Sequence, residues 1–141
     1  EIGIPNNCNL TIEAGTTVNF ETNTGIKIDD GGSLHVAGTA SKNVTLTGVD
    51  GAAGAWRGLE YSFTQSVKNK VEYTLIEYAG SDDNNAAIYM WAEPKLTVNN
   101  CEFKDIDGCV FTDGTGTGGF SNVNFSEASN TYDNTGTTFC H

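Results

Sequence analysis

The sequence predicts an all-β fold built as a solenoid, a single domain over residues 1–141 in which short strands stack into about six turns. Three observations carry this. Apolar and polar residues alternate in short runs, and period two marks a strand with one buried and one wet face. Clusters of Gly, Asn and Asp separate the runs, as turns require. Related phrases also return at short intervals. Leu10-Thr-Ile-Glu-Ala-Gly-Thr16 is echoed by Leu34-His-Val-Ala-Gly-Thr39 (34 − 10 = 24), and Val71-Glu-Tyr-Thr-Leu-Ile-Glu-Tyr78 by Leu96-Thr-Val-Asn-Asn-Cys-Glu-Phe103 (96 − 71 = 25). Asn100-Cys-Glu-Phe103 is echoed by Asn122-Val-Asn-Phe125 (122 − 100 = 22).

In chain order the alternating runs begin with Leu10-Thr-Ile12, Val18-Asn-Phe20, Ile26-Lys-Ile28, Leu34-His-Val36 and Val44-Thr-Leu46. They continue through Leu59-Glu-Tyr61, Val71-Glu-Tyr73, Ile76-Glu-Tyr78, Ile88-Tyr-Met90 and Leu96-Thr-Val98. Cys101-Glu-Phe103, Val110-Phe-Thr112 and Val123-Asn-Phe125 complete the series. Asp29-Asp-Gly-Gly32, Asp50-Gly51, Ser81-Asp-Asp-Asn-Asn85 and Asp113-Gly-Thr-Gly-Thr-Gly-Gly119 supply corners. No segment carries a helical stripe, so almost no helix is expected. Strands this short are stable when each lies on its equivalent in the next turn, where apolar side chains pile into a column and inner backbone groups pair between rungs. The inward set is then Leu10, Ile12, Val36, Leu59, Ile76, Ile88, Leu96, Val98, Cys101, Phe103, Val110, Val123 and Phe125, with Ile76, Cys101 and Val123 stacked in successive turns. Asn99, Asn100 and Asn122 fall at one recurring corner and predict an asparagine ladder.

The phrases Leu10-Thr-Ile-Glu-Ala-Gly-Thr-Thr-Val-Asn-Phe20, Gly32-Ser-Leu-His-Val-Ala-Gly-Thr39, Trp56-Arg-Gly-Leu-Glu-Tyr61 and Leu96-Thr-Val-Asn-Asn-Cys-Glu-Phe103 resemble the right-handed parallel β-helix repeats of secreted bacterial proteins, the pectin-lyase-like superfamily. The resemblance spans about Leu10 to Phe125. It implies the fold and a secreted or cell-surface location; the coils of that superfamily serve lyases, glycosidases, adhesins and structural proteins alike.

Charge narrows the partners. Seven Lys and Arg stand against 18 Asp and Glu, a net charge of −11, which repels phosphate backbones and disfavours nucleic acid. No apolar run is long enough for a membrane-spanning helix, so membrane insertion is not expected. Asn9, Asn43 and Asn124 begin Asn-x-Ser/Thr sequons, candidate glycosylation sites in a secreted protein.

No enzyme is expected. The resemblance would imply a basic residue for lyase chemistry, and the single arginine, Arg57, reads as a turn residue beside Trp56. It would imply spaced aspartates with a Gly-His-Gly for hydrolysis; His35 lies in a strand and His141 at the end, neither in that motif. The pairs Asp29-Asp30 and Asp82-Asp83 sit in corners, where Asp caps its own backbone. No cofactor is expected. Calcium is the weaker alternative, at Asp82, Asp83, Asn84 and Asn85 or at Asp105 and Asp107, where oxygens cluster outside any known loop motif. Thr45-Leu-Thr47 and Thr115-Gly-Thr117 are too scattered for an ice-binding face. Trp56, Tyr73, Tyr89 and Trp91 are candidate glycan contacts if they face outward; packed in rows on one face they would only stabilise neighbouring turns.

The remaining signal is at the ends. Cys8 enters the first strand directly, and Asn134-Thr-Gly-Thr-Thr-Phe139 finishes the sequence without an evident cap, so open ends would meet another subunit or the rest of a longer protein. Four cysteines lack a C-x-x-C, which excludes a zinc ribbon and leaves disulfides open. The expectation is that Cys8 and Cys140 tie neighbouring subunits, with Cys101 and Cys109 paired around a corner or Cys101 left as a core thiol. The leading function is an extracellular structural or adhesive module that assembles with itself end to end into a filament. The alternative is a carbohydrate-binding or carbohydrate-active module whose partner is a polysaccharide.

Overall fold

The computed structural model describes residues 1–81, 84–115 and 120–140. In chain order the strands are β1 (Ile2–Ile4), β2 (Asn9–Glu13), β3 (Thr17–Phe20), β4 (Gly25–Ile28), β5 (Ser33–Ala37), β6 (Val44–Gly48), β7 (Gly58–Ser62) and β8 (Lys70–Glu72). They continue as β9 (Thr74–Glu77), β10 (Ala86–Trp91), β11 (Lys95–Asn99), β12 (Glu102–Lys104), β13 (Cys109–Asp113), β14 (Asn124–Ala128), β15 (Thr131–Asp133) and β16 (Phe139–Cys140), with one 3-10 turn at Phe120–Asn122. All pair in parallel into three sheets of order β1-β4-β7-β10-β13-β16, β2-β5-β8-β11-β14 and β3-β6-β9-β12-β15. Every third strand shares a sheet, which is a parallel β-solenoid of about five turns.

The core is a set of vertical stacks. Ile2, Ile26, Leu59, Ile88, Phe111 and Phe139 lie in register along the first sheet. Ile12, Val36, Val71 and Val98 line the second. Val18, Leu46, Ile76, Phe103 and Tyr132 line the third. Of the expected inward residues, all but Leu10 and Phe125 are buried; those two sit on end rungs, where a neighbour is missing on one side, and still pack against the core.

The repeat length differs from the expected one. Leu34 does lie beside Leu10, but Val98, not Leu96, lies beside Val71 (98 − 71 = 27), and Phe125 lies beside Leu96 (125 − 96 = 29). Turns run from 23 residues (Phe111 beside Ile88) to 35 (Val71 beside Val36), because corner loops such as that between β7 and β8 vary in length. Longer turns explain five rungs where a constant short period implied six. Ile76 therefore stacks on Phe103 and not on Cys101, and Val123 belongs to the approach to β14. A slip of two residues leaves inward and outward faces unchanged, which is why most of the core was legible despite the misaligned repeat.

The asparagine ladder does not form. Asn99 extends β11 between Glu72 and Ala128, Asn100 turns the corner at φ 55°, and Asn122 lies in the 3-10 turn. The corner is built instead from left-handed backbone at successive levels, Tyr73 (φ 44°), Asn100 and Ser129 (φ 60°). The next corner repeats the device with Tyr78, Asp105 and Asn134.

The cysteines also pair differently. Cys109 and Cys140 form an intrachain disulfide across 6.1 Å between Cα atoms, Cys8 is an exposed thiol and Cys101 a buried one. The segment after Phe125 continues the solenoid through β15 and β16, which brings Cys140 to β13 and far from Cys8. A Cys8–Cys140 link between subunits is thereby replaced. Cys101 donates to the carbonyls of Val71 and Asn99 at 3.3 Å, and burial pushes its thiol up to about 12. Thiol titration should accordingly find one reactive cysteine in the native chain and two after denaturation without reductant. Non-reducing electrophoresis should show at most a Cys8-linked dimer; a ladder of higher oligomers would contradict the pairing.

Candidate functional site

The outward face of the first sheet carries the most developed site. Alternation turns Lys27 of β4, Glu60 of β7 and Tyr89 of β10 to the same side, and the register places them side by side across three rungs. Trp91 lies two residues beyond Tyr89 on the same strand, so both rings leave the sheet together. They are parallel within 5° and their centroids are 6.5 Å apart. Gly114 lies under them: a Cβ there would run into the Tyr89 hydroxyl and come within 2.7 Å of the Trp91 ring.

Beside the rings, Glu60 is held by three donors. The Lys27 ammonium approaches one carboxylate oxygen at 3.4 Å and the Ser62 hydroxyl donates to the same oxygen at 3.1 Å. The Asn84 amide donates to the other oxygen at 3.1 Å. Glu60 thus has a fixed orientation on a side chain that is mostly covered. Burial, and then the charges of Glu60 and Asp113, raise the Tyr89 hydroxyl above its ordinary range, so it remains a neutral donor. Phe63 completes the rim. It is exposed, its amide donates to the Trp91 carbonyl at 2.9 Å, and its φ of 61° is an unusual conformation for a bulky residue. With Asp29 these groups line an open cleft of about 370 Å³.

The candidate aromatics separate. Trp91 is 40% exposed and Tyr89 partly exposed, both at this cleft. Trp56 is the correction: it is fully buried, stacks on Phe20 at 4.1 Å and donates its indole N–H to the Glu77 carbonyl at 2.7 Å. It sits just before β7 and bridges to Ala79, a position that alternation alone does not mark as inward. Tyr73 is exposed but belongs to a different groove with Asn43, Asn100 and Glu102.

The other candidates are dispersed. Arg57 reaches Glu1 at 3.2 Å, and the His35 ring pairs with Glu72 at 2.8 Å on the second sheet. A smaller groove of about 310 Å³ there includes His35, Val67, Lys68 and Lys70. Asp82, Asp83, Thr117 and His141 lie outside the described residues. Among the described residues no three His, Cys, Asp or Glu are grouped to hold a metal, and Asp105 is bonded by Asn134. Asn9, Asn43 and Asn124 are all exposed; Asn9 accepts from Ser33 and Asn124 donates to Gln65 at 3.2 Å. No helix among the described residues is long and apolar enough to cross a membrane.

Lys27, Glu60, Ser62 and Phe63 escaped sequence reasoning because each reads as an ordinary outward or corner residue, and Asn84, singled out only as a calcium candidate, instead donates to Glu60. The available signal was the outward member of each alternating triplet: Lys27 in Ile26-Lys-Ile28, Glu60 in Leu59-Glu-Tyr61 and Tyr89 in Ile88-Tyr-Met90. Neither a protein-family model nor a curated protein nor a solved structure matches the chain.

Proposed function

We propose that the chain is a non-enzymatic adhesive module that works outside the cell and binds carbohydrate through the face of β4, β7 and β10. The parallel, solvent-facing Tyr89 and Trp91 beside the oriented Glu60 support this most. Sugar rings present apolar C–H faces and a rim of hydroxyls. Flat aromatic rings receive the first, while Glu60, Asn84 and Lys27 can serve the second. The Cys109–Cys140 disulfide fits an oxidising, extracellular setting. Glu60 is already engaged by Lys27, Ser62 and Asn84, and Ser62 beside it is itself buried, so binding without cleavage is the reading.

Affinity electrophoresis in gels containing polysaccharides tests the proposal. The native chain should be retarded by at least one of them. Trp91→Ala should lose tenfold or more of the affinity, about 1.4 kcal/mol or above, while its melting temperature stays unchanged. No retardation by any glycan would contradict the reading. Release of reducing ends that disappears in Glu60→Gln would contradict its non-enzymatic part.

The ends favour a second reading, end-to-end assembly. Among the described residues β1, β2 and β3 have no partner on one side, and β14, β15 and β16 have none on the other. Ile2 and Phe139 are exposed at opposite ends of one stack. The two ends share one three-sheet cross-section, so a second copy can add as the next rung. Sedimentation at rising concentration should then show growing species; a monomer throughout would dismiss this reading.

A further inference from the structure

We infer that the cleft selects uncharged glycans and rejects polyuronates, a refinement that rests on the carbohydrate-binding reading of the same face. The argument is electrostatic and geometric. Lys27 is the cation of the cleft, and it is already set against Glu60 at 3.4 Å. Asp29 adds a second carboxylate without a matching cation among the lining residues, so the cleft carries a net negative charge within a chain of net charge −11. A chain of sugar carboxylates laid over Tyr89 and Trp91 would meet both Asp29 and Glu60, and like charges at contact range cost affinity.

A neutral sugar reverses each of these terms. Its hydroxyls donate, and Glu60 is a charged acceptor whose orientation is fixed before the ligand arrives. The Asn84 amide and the Lys27 ammonium flank that carboxylate and can donate to hydroxyl oxygens. The Tyr89 and Trp91 rings, parallel within 5° and 6.5 Å apart between centroids, offer apolar faces to the sugar rings of an extended chain. Phe63 closes one end of the platform through its link to the Trp91 backbone. The ligand class is therefore a neutral, extended oligosaccharide with vicinal hydroxyls.

Calorimetric titration of the full chain with neutral hexasaccharides (cellohexaose, mannohexaose and xylohexaose) and with hexagalacturonate tests this, at low and at physiological salt. At least one neutral oligosaccharide should bind tenfold or more tightly than hexagalacturonate, with the gap widest at low salt, where charge is least screened. Glu60→Gln keeps the shape but replaces a charged acceptor by a neutral one. It should weaken the neutral ligand by about five- to tenfold and narrow the gap to the uronate. Asp29→Asn should also narrow the gap while sparing the neutral ligand. Equal or tighter binding of hexagalacturonate by the native chain, lost in Trp91→Ala, would overturn the selectivity and leave the carbohydrate-binding reading intact. Binding of neither class would overturn both.

Discussion

Asn69→Ala is expected to lose roughly 3–5 kcal/mol of folding stability, a large share of what a domain of this size possesses. The pairing of His35 with Lys70 and of Lys70 with Thr97 places Asn69 between Leu34 and Leu96, an amide inside a row of leucines. It is 1% exposed. Its carbonyl accepts from the Leu34 amide at 3.0 Å, and its amide donates to the Lys95 carbonyl and to the Thr64 hydroxyl, each at 3.1 Å. The Thr64 hydroxyl in turn donates to the Gly32 carbonyl at 2.6 Å. The side chain thus replaces strand hydrogen bonds where the chain leaves the Phe63–Asn69 loop to enter β8. Removing it leaves several buried polar groups unpaired at about 1–3 kcal/mol each, less what water recovers. Asn69→Leu would fill the space and still orphan the Leu34 amide, so it should also destabilise. Urea denaturation checks both; a loss below about 1 kcal/mol for Asn69→Ala would show that the loop is not anchored this way.

Phe103→Ala is the second large effect, about 3–5 kcal/mol. Phe103 is fully buried, stacks on Tyr132 at 5.7 Å and meets the edge of Phe111 at 5.1 Å. Phe111 continues the contact to Phe125 and Phe139, so one ring supports the aromatic cluster that closes the last two turns. Aromatic pairs contribute beyond their buried area, and a close-packed interior fills the cavity left by a lost ring only in part. The variant should lower the denaturation midpoint; an unchanged midpoint would remove Phe103 from the core.

These two residues mark the limits of sequence reading here. Phe103 is legible because it belongs to an alternating triplet, and alternation reports which face is buried whatever the rung spacing. Asn69 is not legible: a polar residue after a Ser- and Lys-containing loop looks solvated, and only the three-dimensional register sets it in a leucine row. The spacing of the rungs was hidden for a related reason. Corner loops lengthen without altering the strands, so local phrases such as Val71–Tyr78 and Leu96–Phe103 align well by eye at an offset two residues too short. Trp56 and Trp91 show the same limit at the site. Both stand near strand ends in similar company, yet the first stacks on Phe20 inside the column and the second on Tyr89 outside it. The disulfide joins the cysteines that the last two turns bring together, which no spacing rule along the chain distinguishes from the other pairings.

Fluorescence offers the most direct test of the proposed glycan-binding face, because the chain has two tryptophans and they differ completely in access. Trp56 is fully buried and Trp91 is 40% exposed. Acrylamide should quench the native emission in two fractions, one accessible and one protected. Addition of a polysaccharide that retards the chain should protect the accessible fraction, and Trp91→Ala should remove that fraction and the ligand response together. Retardation with Trp91 still fully open to acrylamide would place the ligand elsewhere and contradict the account.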